Sequence, residues 1–239
     1  MEKHWLERTE LLIKKEGINK LLNSHVLVIG MGGVGSFASE FLARAGIGKM
    51  TIIDGDVVDT TNRNRQLHAL SSTVGLSKVE LMANRIKDIH PEIQLIAINE
   101  FITPERAVEI LQNDYDYVVE CIDSLTPKLY IIQTALNRGL KIISSMGAGG
   151  KIDASKVKIT KLSKTRDCPL AKYVRKRLKK MGVKKNLKVV YSYEIPDKTS
   201  IRYTDGSNFK KSFYGTISYI PALFGLMAAN VVILDLLNE

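Results

Sequence analysis

The chain has 239 residues, 45% hydrophobic and 25% charged, with 17 Gly, 6 Pro and 2 Cys, a composition that excludes a disordered chain, a collagen-like repeat and a disulfide-stapled scaffold. The formal net charge is +10 and it is concentrated: residues 151–188 hold fifteen Lys+Arg against two Asp+Glu, a local +13, and the other 201 residues sum to −3. A patch this dense costs self-repulsion, so it points to a polyanionic partner, nucleic acid ahead of an acidic membrane surface. Cys121 and Cys168 are too few for a tetrahedral thiolate zinc site, and Met1 to Lys15 is charged with no apolar signal core. The expected compartment is the reducing cytoplasm.

In chain order, Leu6 to Leu22 reads as an amphipathic helix and Val26–Gly30 as a short, β-branched buried strand. Further strands are expected at Met50–Ile53, Ile93–Ile98, Tyr117–Glu120 and Lys141–Ser144. They alternate with helices near Val34–Ala45, Lys78–Ile89, Pro104–Gln112 and Pro127–Arg138. This alternation predicts an α/β fold, a doubly wound, mostly parallel Rossmann-like sheet with helices on both faces. The character changes after Gly150. Strands are expected at Val157–Leu162 and Val189–Tyr193, with a basic helix Leu170–Lys180 between them and a turn-rich, mobile or crossover loop at Pro196–Lys211. Ile217 to Leu237 is almost wholly apolar and approaches the length of a membrane span; Pro221, Asn230 and Asp235 interrupt it, and a core or dimer-interface helix is the preferred reading. The chain is read as one domain, with a nucleotide-binding core over residues 1–150 and a basic, nucleic-acid-binding and dimerising part over 151–239.

Gly30-Met-Gly32-Gly33-Val-Gly35 follows a strand and opens a helix, the context in which such glycines form a phosphate-binding turn. Asp54 ends the next strand, where a carboxylate reaches both ribose hydroxyls. A dehydrogenase binding NAD needs little more from this half. This chain adds Asp56, the block Asn62-Arg63-Asn64-Arg65-Gln66, Lys78 at a helix start and Asp123 after a strand. Cations beside a nucleotide suit a triphosphate, and a carboxylate at the C-terminal end of a strand suits Mg²⁺, so the reading is ATP with Mg²⁺.

The motifs Gly30-x-Gly32-Gly33-x-Gly35-Ser36, Asp54-x-Asp56, Asn62-x-x-Arg65-Gln66, Gly75-x-x-Lys78 and Cys121-x-Asp123 resemble the ThiF/MoeB/HesA proteins, bacterial relatives of ubiquitin-activating enzymes. Further motifs resemble one branch, the tRNA threonylcarbamoyladenosine dehydratases: Arg65-Gln-Leu-His-Ala69, Gly147-Ala-Gly-Gly150-Lys-Ile-Asp153, Lys164-Thr165 with Pro169-Leu-Ala171, Val190-Tyr-Ser192 and Gly215-Thr-Ile-Ser-Tyr-Ile-Pro221. The two C-x-x-C zinc pairs usual in the thiamine and molybdopterin activators are missing from this chain.

The resemblance implies adenylation of the threonyl carboxylate of threonylcarbamoyladenosine in tRNA, followed by intramolecular ring closure. It assigns ATP and Mg²⁺ to Gly32, Asp54, Asp56, Asn62, Arg65, Gln66, Lys78 and Asp123. Arg65, Lys78 and Asp123 carry the chemistry, with Asp123 as the metal ligand, and Arg8 reaches the phosphates of a partner subunit in a homodimer. The modified anticodon arm of tRNA becomes the partner of the basic segment, with Lys172, Arg175, Lys176, Arg177, Lys179 and Lys180 expected at its phosphates and Tyr173 expected in the core. No motif specifies a sulfur-relay partner, and some family members carry a cysteine just before Gly215, where this chain reads Lys211-Ser-Phe-Tyr. The competing readings are adenylation of a ubiquitin-like sulfur carrier, an NAD-dependent dehydrogenase, and a noncatalytic RNA- or membrane-binding protein.

Overall fold

The run His-Val-Leu-Val-Ile is apolar at successive positions because both of its faces are covered. In the structure, a computed structural model that describes residues 4–204 and 212–238, it forms β1 (His25–Ile29) near the middle of a seven-stranded sheet. Val26 and Val28 point into one core and Leu27 and Ile29 into the other, all fully buried. Each such side chain contributes about 1.5–3 kcal/mol.

The elements follow the expected alternation: α1 (Glu7–Leu22), β1, α2 (Gly35–Arg44), β2 (Lys49–Ile53), α3 (Lys78–Ile89), β3 (Gln94–Ile98), α4 (Pro104–Ile110), β4 (Tyr117–Glu120), α5 (Leu125–Arg138) and β5 (Ile142–Ser145). The second part adds β6 (Val157–Lys161), α6 (Pro169–Lys180), β7 (Lys188–Ser192), β8 (Ile201–Tyr203), β9 (Ser212–Tyr214) and α7 (Tyr219–Leu237). Strand order is β3-β2-β1-β4-β5-β7-β6, parallel throughout except for β6, which runs antiparallel to β7. The order reverses between β1 and β4, and at such a switch point the loops beyond the strand ends part to leave a crevice. The basic part is thus continuous with the nucleotide half, because β7 pairs directly with β5.

Two expectations are corrected. Pro196–Lys211 is not simply a loop: Ile201–Tyr203 pairs antiparallel with Ser212–Tyr214, in strands of three residues, too short for an alternation to be read. Residues 205–211 of that segment, Lys211 among them, lie outside the described residues, as do Met1 to Lys3. Tyr173, expected in the core, is 56% exposed, because Ala171, Val174 and Leu178 form the inward stripe of α6.

The apolar helix α7 is long and apolar enough to cross a membrane by length and composition, yet half of it is buried inside the fold. Ile220, Phe224, Ala228, Val232 and Leu236 recur every four residues and face the core shared with α2. Gly225 lets the helices close up, since a Cβ there would lie 2.4 Å from the Val34 carbonyl oxygen. Asp235, the acid near its end, accepts hydrogen bonds from Lys188 at 2.6 Å and from the Tyr117 hydroxyl at 2.8 Å.

Candidate active site

The crevice beyond β1 and β4 is a cleft of about 410 Å³. Its floor is the turn between β1 and α2. Gly30 adopts φ +91°, the left-handed region that an L side chain resists, and a Cβ there would sit 3.2 Å from the Cys121 backbone. Gly32 and Gly33 also line the cleft, leaving its floor without side chains. Gly35 does not line it. A Cβ at Gly35 would lie 1.7 Å from the Gly30 carbonyl oxygen, so this glycine serves the tight start of α2 and not the cleft surface, which corrects its expected ligand-binding role.

Asp54, at the end of β2, fixes the turn from the side: its carboxylate accepts from the backbone N–H of Met31 at 2.6 Å and of Asp56 at 2.8 Å. Burial pushes its pKa up, and the Lys78 charge and these two N–H donors pull the other way. Ser77 caps α3 by accepting from the Glu80 N–H, which places Lys78 in the first helical turn. The Lys78 ammonium is buried and donates to Asp56 at 2.8 Å. This is not a solvated surface lysine.

Asn62 closes a turn by accepting from the Asp59 N–H, and it is buried. From this turn the chain delivers Arg65 and Gln66 to the cleft wall. Arg65 donates to the Thr61 carbonyl and to Asn64, both at 2.9 Å. Burial lowers its pKa, while the charge of Asp123 across the cleft acts in the opposite sense. The side-chain oxygen of Gln66 is buried without a hydrogen-bond partner among the described residues. Such a group is costly when left alone, and in a cleft it is an acceptor for a ligand.

The structure therefore brings Gly30, Gly32, Gly33, Asp54, Asp56, Asn62, Arg65, Gln66, Lys78 and Asp123 to one cavity. Arg8 is not among them; it is exposed on α1, outside the cleft of its own chain. Among the described residues no three acidic, His or Cys side chains cluster as a metal cage. Asp123 is a single carboxylate facing a polar cleft, a donor set that fits Mg²⁺, which takes one or two carboxylates and completes its shell with phosphate and water.

Sequence reasoning missed the support beneath Asp123. Glu120, the last residue of β4, is fully buried and pairs with the equally buried Lys128 of α5. Ser144 donates to the same carboxylate oxygen; Lys128 also donates to the Ser145 carbonyl at 2.9 Å. The other oxygen of Glu120 accepts from the Ile122 N–H at 2.7 Å, one residue before Asp123. The available signal was two charged residues embedded in otherwise apolar segments, eight positions apart in sequence.

Cys121 lies under the glycine turn, and burial pushes its thiol well above the ordinary range, with the Glu120 charge adding to the effect. A thiol held protonated is a poor nucleophile. Cys121→Ser is expected to keep turnover within about twofold of wild type, measured as initial rates. Cys168 is buried at the start of α6.

Of the six α6 cations expected at phosphates, Lys172, Lys176, Arg177, Lys179 and Lys180 are exposed. Arg175 is the exception. It is half-buried and donates to the carbonyls of Leu162 and Thr165 and, at 2.6 Å, to the Thr165 hydroxyl, so it ties α6 to the preceding turn and is not a free phosphate contact.

Comparison with known proteins places this geometry. The model of the ThiF family matches residues 6–239. The tRNA threonylcarbamoyladenosine dehydratase of Bacillus subtilis (strain 168) is 42% identical over 243 residues, covering 99% of this chain and 96% of the relative. The enzyme of that name from Escherichia coli (strain K12) is 42% identical over 188 residues, covering 77% and 70%. The crystal structure of E. coli tRNA N6-threonylcarbamoyladenosine dehydratase, TcdA, in complex with ATP superposes with a TM-score of 0.88 at 36% identity, over 97% of this chain and 93% of that one.

Proposed function

The chain belongs to the ThiF family, and from that premise we propose that it uses ATP to activate the threonyl carboxylate of threonylcarbamoyladenosine in tRNA and closes the activated group into the cyclic derivative. One observation carries the reading: a single cleft gathers the side-chain-free turn, the Asp54 carboxylate, two cations and the Asp123 carboxylate, and the chain is similar along nearly its whole length to a dehydratase of that substrate.

The chemistry follows from the groups present. A free carboxylate resists attack by a weak nucleophile because oxide would have to leave. ATP supplies the remedy as co-substrate: a carboxylate oxygen attacks the α-phosphorus, the bond to the β,γ-phosphates breaks, pyrophosphate leaves and an acyl-adenylate forms. The turn amides of Gly32 and Gly33 bind phosphate oxygens, with the positive end of the α2 dipole behind them. Each oxygen of Asp54 already accepts one backbone N–H and keeps a lone pair for a ribose hydroxyl. Gln66 offers its unpartnered oxygen to a ligand donor. Lys78, held by Asp56, and Arg65, held by Thr61 and Asn64, stabilise the negative charge that moves onto pyrophosphate.

Asp123 would hold Mg²⁺, which when bound supplies charge neutralisation at the phosphates. The ureido group of the same substrate then attacks the acyl carbon and expels AMP, so one water is lost overall. Proximity within the substrate replaces a protein nucleophile, in keeping with the protonated state of Cys121. The exposed cations Lys172, Lys176, Arg177, Lys179 and Lys180 bind tRNA phosphates. In a homodimer Arg8, solvent-facing on α1, extends toward the phosphates in the partner's cleft.

The test is mass spectrometry of nucleosides after tRNA bearing threonylcarbamoyladenosine is incubated with the protein, ATP and Mg²⁺. The expected product is the nucleoside less one water, with AMP and pyrophosphate in equal amounts. An unchanged nucleoside rules the reading out.

A further inference from the structure

The basic segment does more than decorate α6. At the edge of the sheet, two of its cations converge on one aromatic ring: the Lys158 ammonium lies 4.7 Å and the Arg166 guanidinium carbon 5.3 Å from the ring centre of Tyr193. Lys158 is on the edge strand β6, opposite Tyr191 in register, and Tyr193 follows β7 directly. Because β7 runs parallel to β5, Tyr193 emerges at the same end of the sheet as the cleft.

Two like charges on one ring repel, and two of the acids nearby, Asp153 and Glu194, are engaged elsewhere. Asp153 is engaged by Lys156 at 3.1 Å and by Ser155. Glu194 accepts from the backbone N–H groups of Ile152 and Asp153. Among the described residues, the one ion pair that either cation makes is Arg166 with Asp167, at 3.9 Å. Arg166 is 71% exposed and Lys158 is exposed, while Tyr193 is half-buried and fixed by its N–H to the Lys156 carbonyl. The arrangement is a half-buried ring with two exposed positive charges beside it, one of them paired at long range with Asp167.

We propose that Lys158, Arg166 and Tyr193 form an RNA subsite that takes one unpaired nucleotide next to the reacting one. The base lies against the Tyr193 ring and the flanking phosphates lie on the two cations. An exposed cation–ring contact is weak, and a phosphate draws the flexible side chains off the ring face to leave it for a base. Unpaired loop nucleotides are what a protein reads by stacking, whereas a membrane surface offers phosphates but no base. The inference rests on the tRNA reading above and extends it from charge to a particular site.

The experiment measures binding of the full chain to tRNA bearing threonylcarbamoyladenosine across a salt series, for wild type, the double variant Lys158→Ala/Arg166→Ala, Tyr193→Ala and Tyr193→Phe. ATP affinity and thermal stability are followed alongside; ATP affinity is expected to match wild type in every variant, and thermal stability in all but Tyr193→Ala, which removes a half-buried ring packed on the core. The double variant is expected to bind about tenfold more weakly and to flatten the dependence of log K on log salt by about 1.5. Tyr193→Ala is expected to weaken binding about fivefold or more with the salt slope unchanged, and Tyr193→Phe to restore it, because the ring and not the hydroxyl stacks.

Wild-type binding with all three variants within about twofold of it, or a Tyr193→Phe loss equal to that of Tyr193→Ala, overturns this subsite alone. No tRNA binding by wild type overturns the function and the subsite together. So does binding of phosphatidylserine vesicles through these residues in place of tRNA.

Discussion

Lys78→Ala is expected to lower turnover by about 100- to 1000-fold, the usual cost of removing one preorganised charge stabiliser, while leaving tRNA affinity within about twofold of wild type. The ammonium is buried, positioned by the capped start of α3 and held on Asp56, so it is oriented before any ligand arrives. A flexible surface lysine would have to be ordered in the reaction, and its loss would matter less. The variant also removes the partner of Asp56, whose carboxylate then faces the phosphates unopposed, so alanine should cost more than the lost attraction alone. Asp56→Asn/Lys78→Ala separates the two contributions and is expected to recover part of the loss. Initial rates of pyrophosphate release, with tRNA binding measured in parallel, decide the matter; a Lys78→Ala enzyme within about threefold of wild type would remove the lysine from the chemistry.

Lys128→Met is expected to produce the largest change in stability, about 3–5 kcal/mol, by leaving the Glu120 carboxylate buried without its counter-charge. The two side chains are fully buried, and the remaining donors to Glu120 are Ser144 and the Ile122 N–H. Burial already pushes the Glu120 pKa up, and the lysine is the main group opposing that rise. Without it the folded state holds a proton that the unfolded chain releases. Stability of the variant is then fully present below the ordinary glutamate range near about 4.3 and falls as pH climbs through the raised folded value.

Chemical denaturation from pH 4 to pH 8 should show the deficit growing with pH, and Glu120→Gln/Lys128→Met should regain much of it. A deficit independent of pH would mean that the lysine contributes packing and not charge. The same pair holds the residue before Asp123, so the double variant is expected to fold yet need more Mg²⁺ for ATP binding, measured by calorimetry.

The legible parts of this protein were those in which local chemistry and global fold agree. The glycine run after β1, the acid ending β2 and the lysine opening α3 each sit at a junction between elements, where backbone requirements leave a mark in the sequence. Helix α3 begins and ends at the residues expected because Ser77 caps it and its amphipathic stripe is clear. Three features were not legible, for separate reasons. The antiparallel β8–β9 pair has strands too short for a period to show. Arg175 and Tyr173 exchange roles because position around a helix depends on which stripe packs, and a helix carrying six cations in twelve residues gives a weak directional signal. The Glu120–Lys128 pair depends on β4, α5 and β5 meeting in space, which no spacing along the chain reveals.

The central claim is that the cleft converts an unreactive carboxylate into an acyl-adenylate, and its most direct test follows an atom. With threonylcarbamoyladenosine labelled by oxygen-18 in the threonyl carboxylate, one single turnover in unlabelled water should give AMP carrying one heavy oxygen and unlabelled pyrophosphate. Unlabelled AMP, or ADP released with a labelled phosphate, would contradict adenylation and require activation at a different phosphorus.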